Sequence, residues 1–243
     1  MKKKIVTIAL VVALVATCFA GTLAYLTDKD AAVNVMAMGN VKIEQIEQER
    51  GENGELVPFT PNKPAYPIVG EDEYAEDGAP DNIVVNGIDY TTFTMKNVVD
   101  KIITVKNNGN TDAYVRTIIA IEAPDYDPTD LIGISWNSYP SVCPMSGPYC
   151  VEFNGVKWVC FVFTYTEALI PEQVSAPSLL QVYLDNLATN EDCAKFGDTW
   201  EILALTQGVQ AAGFETAGAA LDEAFGEVTT DNLIDWFTTV ING

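Results

Sequence analysis

The stretch KIITVKNNGNTDAYVRTIIAI (residues 101–121) decides the fold that this sequence predicts. Two runs rich in β-branched residues, 101–106 and 113–121, flank the turn sequence NNGN at 107–110. β-branched residues favour strands, and Asn and Gly tolerate the positive φ that a tight turn requires. The pattern therefore predicts an antiparallel hairpin. We expect Arg116, in the middle of its second strand, to pair with a carboxylate rather than to bind a ligand.

The rest of the chain repeats this strand-and-turn pattern. The runs at 151–153 and 156–163 surround Asn154-Gly155 and predict a second hairpin with a two-residue turn. Further strands are expected at 38–46, 56–60, 83–85, 179–184 and 200–212, and apolar residues at helical spacing follow at 217–225 and 233–241. The sequence thus predicts an all-β fold, a two-sheet antiparallel sandwich with short peripheral and C-terminal helices.

The first residues have the pattern of a secretory signal peptide. Three lysines at 2–4 precede an apolar run of about 16 residues, and the small residues Thr22 and Ala24 follow. We predict cleavage between Ala24 and Tyr25. The alternatives are an uncleaved anchor, although the run is shorter than the ~20 residues that span a bilayer comfortably, and a lipoprotein modified at Cys18. The predicted organisation is a signal peptide at 1–24 and a single domain at 25–243 with a Pro- and acid-rich insertion at about 47–89.

Four short blocks of sequence carry a family resemblance: GTLAYLTD (21–28), GNVKI (39–43), DAYVR (112–116) and VQAAGF (209–214). Together they resemble the TasA/camelysin family. Its members are secreted proteins of Gram-positive bacteria that a dedicated signal peptidase processes, and the best-known ones build biofilm-matrix fibres. The resemblance implies a sandwich of jelly-roll type and a secreted or cell-surface location.

The resemblance also implies a mechanism of assembly, donor-strand addition. The segment freed by cleavage would pair with an open sheet edge of the next subunit, through main-chain hydrogen bonds and side-chain pockets. The candidate donor residues are Val33, Val35, Met36 and Met38, where apolar side chains alternate with small or polar ones. The alternative is an ordinary first strand in the chain's own sheet.

The expected function is that of a structural protein, a subunit or accessory of extracellular fibres or matrix. Its expected partners are further copies of the chain or related matrix subunits, and the signal peptidase. The alternative is a monomeric adhesion or carbohydrate-binding module that uses exposed aromatic residues. Candidates for that role are Trp136, Tyr139, Tyr149 and Trp158.

The charge of the chain excludes two classes of partner. The formal net charge is −21, and removal of the three signal-peptide lysines leaves 10 basic against 34 acidic residues, or −24. Such a chain repels phosphate backbones and anionic lipid headgroups. We therefore expect no nucleic-acid binding and no membrane binding after processing.

The sequence contains no histidine. This excludes a zinc site of the H-E-x-x-H type, a Ser-His-Asp triad and a Cys-His dyad. The metallopeptidase activity attributed to camelysin-type relatives therefore lacks its usual ligands here. We expect no enzyme, no catalytic residues, no metal site and no cofactor.

Four cysteines remain after loss of the signal peptide. An even number of cysteines outside the cytosol usually forms disulfides. The expected pairs are Cys143–Cys150, which would close a Pro-rich loop, and Cys160–Cys193, which would join a strand to a later loop. The alternative is free buried thiols.

Overall fold

The computed structural model describes residues 32–36, 41–63, 66–69, 82–92, 95–125, 132–135, 142–196 and 200–242. Twelve strands and three helices lie in these ranges. The strands are β1 (Ala32–Met36), β2 (Ile43–Arg50), β3 (Leu56–Pro58), β4 (Asn82–Val85), β5 (Ile88–Thr91), β6 (Val99–Asn107), β7 (Ala113–Glu122), β8 (Ile132–Ser135), β9 (Met145–Phe153), β10 (Val156–Thr164), β11 (Leu179–Leu184) and β12 (Ile202–Gln210). The helices are α1 (Asn190–Ala194), α2 (Ala217–Phe225) and α3 (Thr230–Asn242). The all-β prediction is confirmed.

Ten of the strands form two five-stranded sheets. Sheet A has the order β1-β12-β7-β10-β9, and sheet B has the order β3-β2-β6-β11-β8. All neighbours within these sheets are antiparallel except β1 and β12, which run parallel. The remaining pair, β4 and β5, forms a separate hairpin.

One apolar core lies between the two sheets. Ile43, Ile103 and Leu179 reach it from sheet B, and Ile119 and Phe161 reach it from sheet A. Each of these side chains is at least 93 % buried. At about 25 cal/mol per Å² of apolar surface removed from water, this shared core holds the sheets face to face.

The hairpin predicted over residues 101–121 is wrong. Its two strands, β6 and β7, belong to different sheets, so the segment between them crosses from sheet B to sheet A. The Asn107 side chain fixes this crossing, because its Nδ2 donates to the carbonyl oxygens of Thr111 and Leu169, each at 2.8 Å, and its Oδ1 accepts from the backbone N–H of Gly109 at 2.9 Å. Asn107 is fully buried. The Asn-Gly pair therefore belongs to an arch between the two sheets rather than to a tight hairpin turn.

Two other Asn-Gly pairs do make tight hairpins. Asn154 and Gly155 have φ of 53° and 76° and join β9 to β10, as predicted. Asn86 and Gly87, with φ of 53° and 77°, join β4 to β5. Both residues of each pair are in the left-handed region, which Asn and Gly tolerate best. The β4–β5 hairpin covers the outer face of sheet B, where Ile83 and Tyr90 pack with Ile102.

Helices α2 and α3 cover the outer face of sheet A. Leu233 and Phe237 of α3 pack on Ile118 of β7 and Leu205 of β12. The ring of Phe153 stacks on that of Trp158, with a centroid distance of 4.9 Å, and on that of Phe237, with a centroid distance of 5.4 Å. Because both of its faces are covered, β7 is buried over almost its whole length. The predicted C-terminal helices are confirmed.

Candidate functional site

The predicted donor segment forms the edge strand β1. Val33, Val35 and Met36 lie in it, and Met38 lies outside the described residues. The register pairs Ala32 with Ala204 and continues to Met36 with Gly208. In the single chain, therefore, β1 completes its own sheet. Of the strand predicted at 38–46, residues 43–46 lie in β2, which continues to Arg50, and residues 38–40 lie outside the described residues.

β12, which holds β1, is closely packed on its other sides. Leu205 and Thr206 are fully buried, and Gln207 is 1 % exposed. A Cβ on Gly208 would lie 2.7 Å from Cδ1 of Ile43, so the absence of a side chain there lets β2 approach β12 closely. Among the described strands, β7 pairs with one edge of β12 and β1 pairs with the other.

A buried chain of five polar side chains connects the two sheets. Thr117 and Thr206 of sheet A lie with their hydroxyl oxygens 3.3 Å apart, and the Thr206 hydroxyl donates to Oε1 of Gln45 in sheet B at 2.7 Å. Gln45 Nε2 donates to Glu47 Oε1 at 2.9 Å, and Lys101 Nζ donates to Glu47 Oε2 at 2.7 Å. We call these five residues the polar chain. It satisfies polar groups that burial would otherwise penalise.

The charged end of the polar chain is shielded from water. The Lys101 side chain is 4 % exposed and that of Glu47 is 16 % exposed. The ring of Phe59 lies over the ammonium group, 4.2 Å from Nζ to the ring centroid. The ion pair and the cation–π contact together hold the ammonium group in a fixed position.

Sequence reasoning did not find the polar chain. Its members carry a local signal only, because Gln45 follows the alternating apolar residues Val41 and Ile43 and Thr206 follows the apolar run 202–205. That signal identifies buried polar residues, but it does not show which of them meet across the core.

A second buried polar cluster lies under α2 and α3. Arg116 Nε donates to Gln207 Oε1 at 2.5 Å, Nη1 donates to Asp222 Oδ1 at 2.8 Å, and Nη2 donates to the carbonyl oxygen of Gly226 at 2.9 Å. The guanidinium carbon also lies 4.8 Å from the centroid of the Trp236 ring. Burial lowers the pKa of the Arg116 guanidinium, and the hydrogen bond to Asp222 opposes that shift. The predicted carboxylate partner of Arg116 is confirmed, and the residue has a structural environment.

Neither expected disulfide is present. All four cysteines in the described part of the chain are free thiols. Cys143 lies beside Tyr165, whereas Cys150 is in register with Val159. The two positions differ by about six residues along the strand direction, or roughly 20 Å at ~3.3 Å per residue. Disulfide-linked Cα atoms lie within about 7 Å of each other.

The second expected pair fails for a different reason. Cys160 is buried on the outer face of sheet A with the residues that α3 covers. Cys193 lies in α1, close in sequence to Phe196, which packs on the core between the sheets. Cys160 therefore lies on the outer face of sheet A, whereas the segment that follows Cys193 packs on the core between the sheets.

The remaining predicted positions fall into two groups. Ala24 and Tyr25, at the cleavage site, lie outside the described residues, as do Trp136 and Tyr139. Trp158 is 2 % exposed, and the half-buried Tyr149 packs on the same outer core of sheet A. Neither ring is presented as an open aromatic platform for a sugar.

Within the described ranges, no group of three or more acidic or cysteine residues has the arrangement of a metal site. Among the helices of those ranges, none combines the length and the apolar content needed to cross a membrane. Compared with protein-family models, with curated proteins and with solved structures, the chain matches none of them.

Proposed function

We propose that the chain is a secreted structural protein, a subunit or accessory of extracellular fibres, and that its mature N-terminal segment acts as a donor strand. The observation that carries the proposal is the parallel pairing of β1 with β12 at the edge of sheet A. The same five-residue ladder forms whether β1 comes from its own chain or from another copy. Exchange of an edge strand between copies therefore creates a link without new contacts.

The position of β1 keeps the free-energy cost of such an exchange low. It is the outermost strand of sheet A, and β12 is its only partner among the described strands. Its release breaks one ladder and leaves the order β12-β7-β10-β9 intact. The edge of β12 then presents unpaired N–H and C=O groups, which favour pairing with another strand.

The geometry of exchange favours fibres over closed pairs. A strand that leaves one subunit and enters the edge of the next makes a head-to-tail contact, and such contacts extend into filaments unless the rotation closes a ring. We further propose that the two sheets form the jelly-roll sandwich that the family resemblance implies. In this proposal each subunit keeps the same fold when it assembles into the fibre.

Two proteins test the proposal, one that begins at Tyr25 and one that begins at Gly39 and so lacks β1. We expect fibres in electron micrographs of the first and monomers for the second. Addition of the shorter protein to the longer one should cap the ends of fibres, because the shorter protein can accept a strand but has none to donate. If both proteins polymerise alike, β1 is not the donor, and if neither polymerises at any pH or salt concentration, the fibre proposal fails.

A further inference from the structure

The polar chain brings an alcohol into contact with a carboxamide in a dry part of the core. Thr206 is fully buried and Gln45 is 6 % exposed, and Thr206 Oγ1 lies 2.7 Å from Gln45 Oε1. The amide nitrogen of the same Gln45 side chain is held by a carboxylate, Glu47 Oε1, at 2.9 Å. A nucleophile, an acyl group and an ionisable group at the departing nitrogen thus lie next to one another.

We propose that Thr206 and Gln45 form an intramolecular ester that covalently joins β12 of sheet A to β2 of sheet B. Oγ1 of Thr206 attacks Cδ of Gln45, so that the Cδ–Oγ1 bond forms and the Cδ–Nε2 bond breaks. The nitrogen departs as ammonia. It carries its own two hydrogens and, in net terms, the proton of the threonine hydroxyl. The reaction needs no oxidant, reductant or second substrate.

Each neighbour of this pair has a part in the step. Glu47 accepts a hydrogen bond from the departing nitrogen, and its negative charge stabilises the positive charge that Nε2 gains when it takes up the threonine proton. Lys101 holds the other oxygen of Glu47 at 2.7 Å and is a positioning residue. Thr117, 3.3 Å from Oγ1, restricts the rotamer of the attacking hydroxyl. Fixed contact of this kind replaces a bimolecular encounter and contributes much of the rate of intramolecular acyl transfer.

The location of the pair favours the ester as a product. A buried ester is protected from hydrolysis because water does not reach it. The bond would connect the strand that carries β1 to the opposite sheet, so that a load applied through β1 and β12 is passed to both sheets. A covalent link between positions 45 and 206 also closes a loop of most of the described chain, which restricts the unfolded state.

The intact mass of the secreted, monomeric protein tests the inference, and it does so independently of whether the chain assembles into fibres. We expect a mass about 17 Da below that of the sequence, because one ammonia is lost in the acyl transfer. Digestion should yield one cross-linked species that contains both residue 45 and residue 206. Hydroxylamine should separate the two peptides and leave a hydroxamate at position 45, since it cleaves an ester between side chains and leaves an amide between side chains intact.

Two threonine variants separate this bond from other causes of a mass loss. Thr206→Val removes the hydroxyl and should restore the full mass. Thr104→Val is the matched control, because Thr104 is 1 % exposed and its hydroxyl has no hydrogen-bond partner in the described structure. This control should keep the loss of about 17 Da.

A glutamate variant tests the role of the carboxylate. Glu47→Gln should slow the appearance of the mass loss at least about tenfold after refolding. Glu49→Gln, whose carboxylate binds Lys63 and Thr60, should form the bond at the normal rate. A wild-type protein of full mass overturns the inference, whether or not the variants fold. A mass loss that resists hydroxylamine, or one that maps to Lys101, overturns the assignment as an ester.

Discussion

Arg116 of β7 and Asp222 of α2 form an ion pair with very unequal burial. Nη1 lies 2.8 Å from Oδ1, and the side chains are 2 % and 41 % exposed, respectively. The guanidinium also binds Gln207 and the carbonyl oxygen of Gly226, so one side chain fixes sheet A, the end of α2 and the connection to α3. The half-exposed carboxylate is thus the counter-ion of a buried charge.

We expect Asp222→Ala to destabilise the fold by about 3 kcal/mol, because the variant leaves the buried guanidinium of Arg116 without its counter-ion. The control is Glu223→Ala at the next, exposed position of α2, which should change the free energy of unfolding by no more than about 0.5 kcal/mol. Urea denaturation measures both. Equal effects of the two substitutions would show that the ion pair contributes nothing.

Phe237→Ala should cost about 3–5 kcal/mol, because it removes a fully buried ring from the Phe153–Trp158 stack and leaves a cavity under α3. Ile241→Ala, one turn later in the same helix, is the control, since that side chain is 37 % exposed. A small effect for Phe237→Ala would mean that α3 does not pack on sheet A as the structure has it.

The thiols should differ in reactivity. Burial raises the pKa of Cys143 and of Cys160 to about 12 each, so neither forms the reactive thiolate near neutral pH. Cys150 is exposed. Brief treatment of the native protein with iodoacetamide should therefore label Cys150 and leave Cys143 and Cys160 unlabelled until the protein is unfolded. Labelling of Cys160 at the same rate as Cys150 would contradict the structure.

The same pKa shifts predict lower stability in alkali. In the unfolded chain these thiols ionise near their ordinary pKa of 9.0, whereas in the folded chain they stay protonated up to about 12. The unfolded state therefore loses protons first, and the free energy of unfolding should fall as the pH rises from about 9 towards 12. Replacement of both cysteines by Ala should flatten this fall. An unchanged alkaline slope in that variant would rule out the thiols as its cause.

The sequence predicted local structure better than it predicted partners. Asn154-Gly155 forms the expected turn because the two strands that flank it pair with each other and only these two residues separate them. Asn107-Asn108-Gly109 has the same composition, yet it forms an arch, because the buried Asn107 side chain binds carbonyl oxygens of Thr111 and Leu169. Leu169 lies 62 positions away in sequence, and no local pattern reports such a contact.

The candidate donor strand shows the same difference between local structure, which the sequence predicts, and distant partners, which it does not. The segment around Val33 and Val35 was identified as a candidate donor strand from the family resemblance, and its local alternation agreed with it. Its parallel partner β12 lies about 170 residues further along the chain, and the alternation cannot identify it. The cysteine pairs failed for this reason too, since an even count carries no information about the faces on which the sulfur atoms lie.

Assembly should respond to charge in a defined direction. A chain that begins at Tyr25 has a formal net charge of −24, so its copies repel each other, and physiological salt screens this repulsion over a Debye length of ~8 Å without abolishing it. Strand pairing depends on short-range hydrogen bonds and apolar burial. Low pH, which neutralises carboxylates, or high salt should therefore speed the polymerisation of protein that begins at Tyr25, as followed by light scattering. Slower polymerisation under both conditions would mean that ionic contacts drive assembly.

The most direct test of donor-strand exchange is a cross-link between two different molecules. Cα atoms on neighbouring strands lie about 4.8 Å apart, within the range of a disulfide. A chain with Ala32→Cys is mixed with a chain with Ala204→Cys, and the control partner carries the new cysteine at the exposed position 219 of α2. We predict that assembly under oxidising conditions links position 32 of one molecule to position 204 of the other, identified by peptide mapping, and that the control gives no such link. Fibres that form without the 32–204 link, while a chain carrying both substitutions closes it within single molecules, would contradict the account.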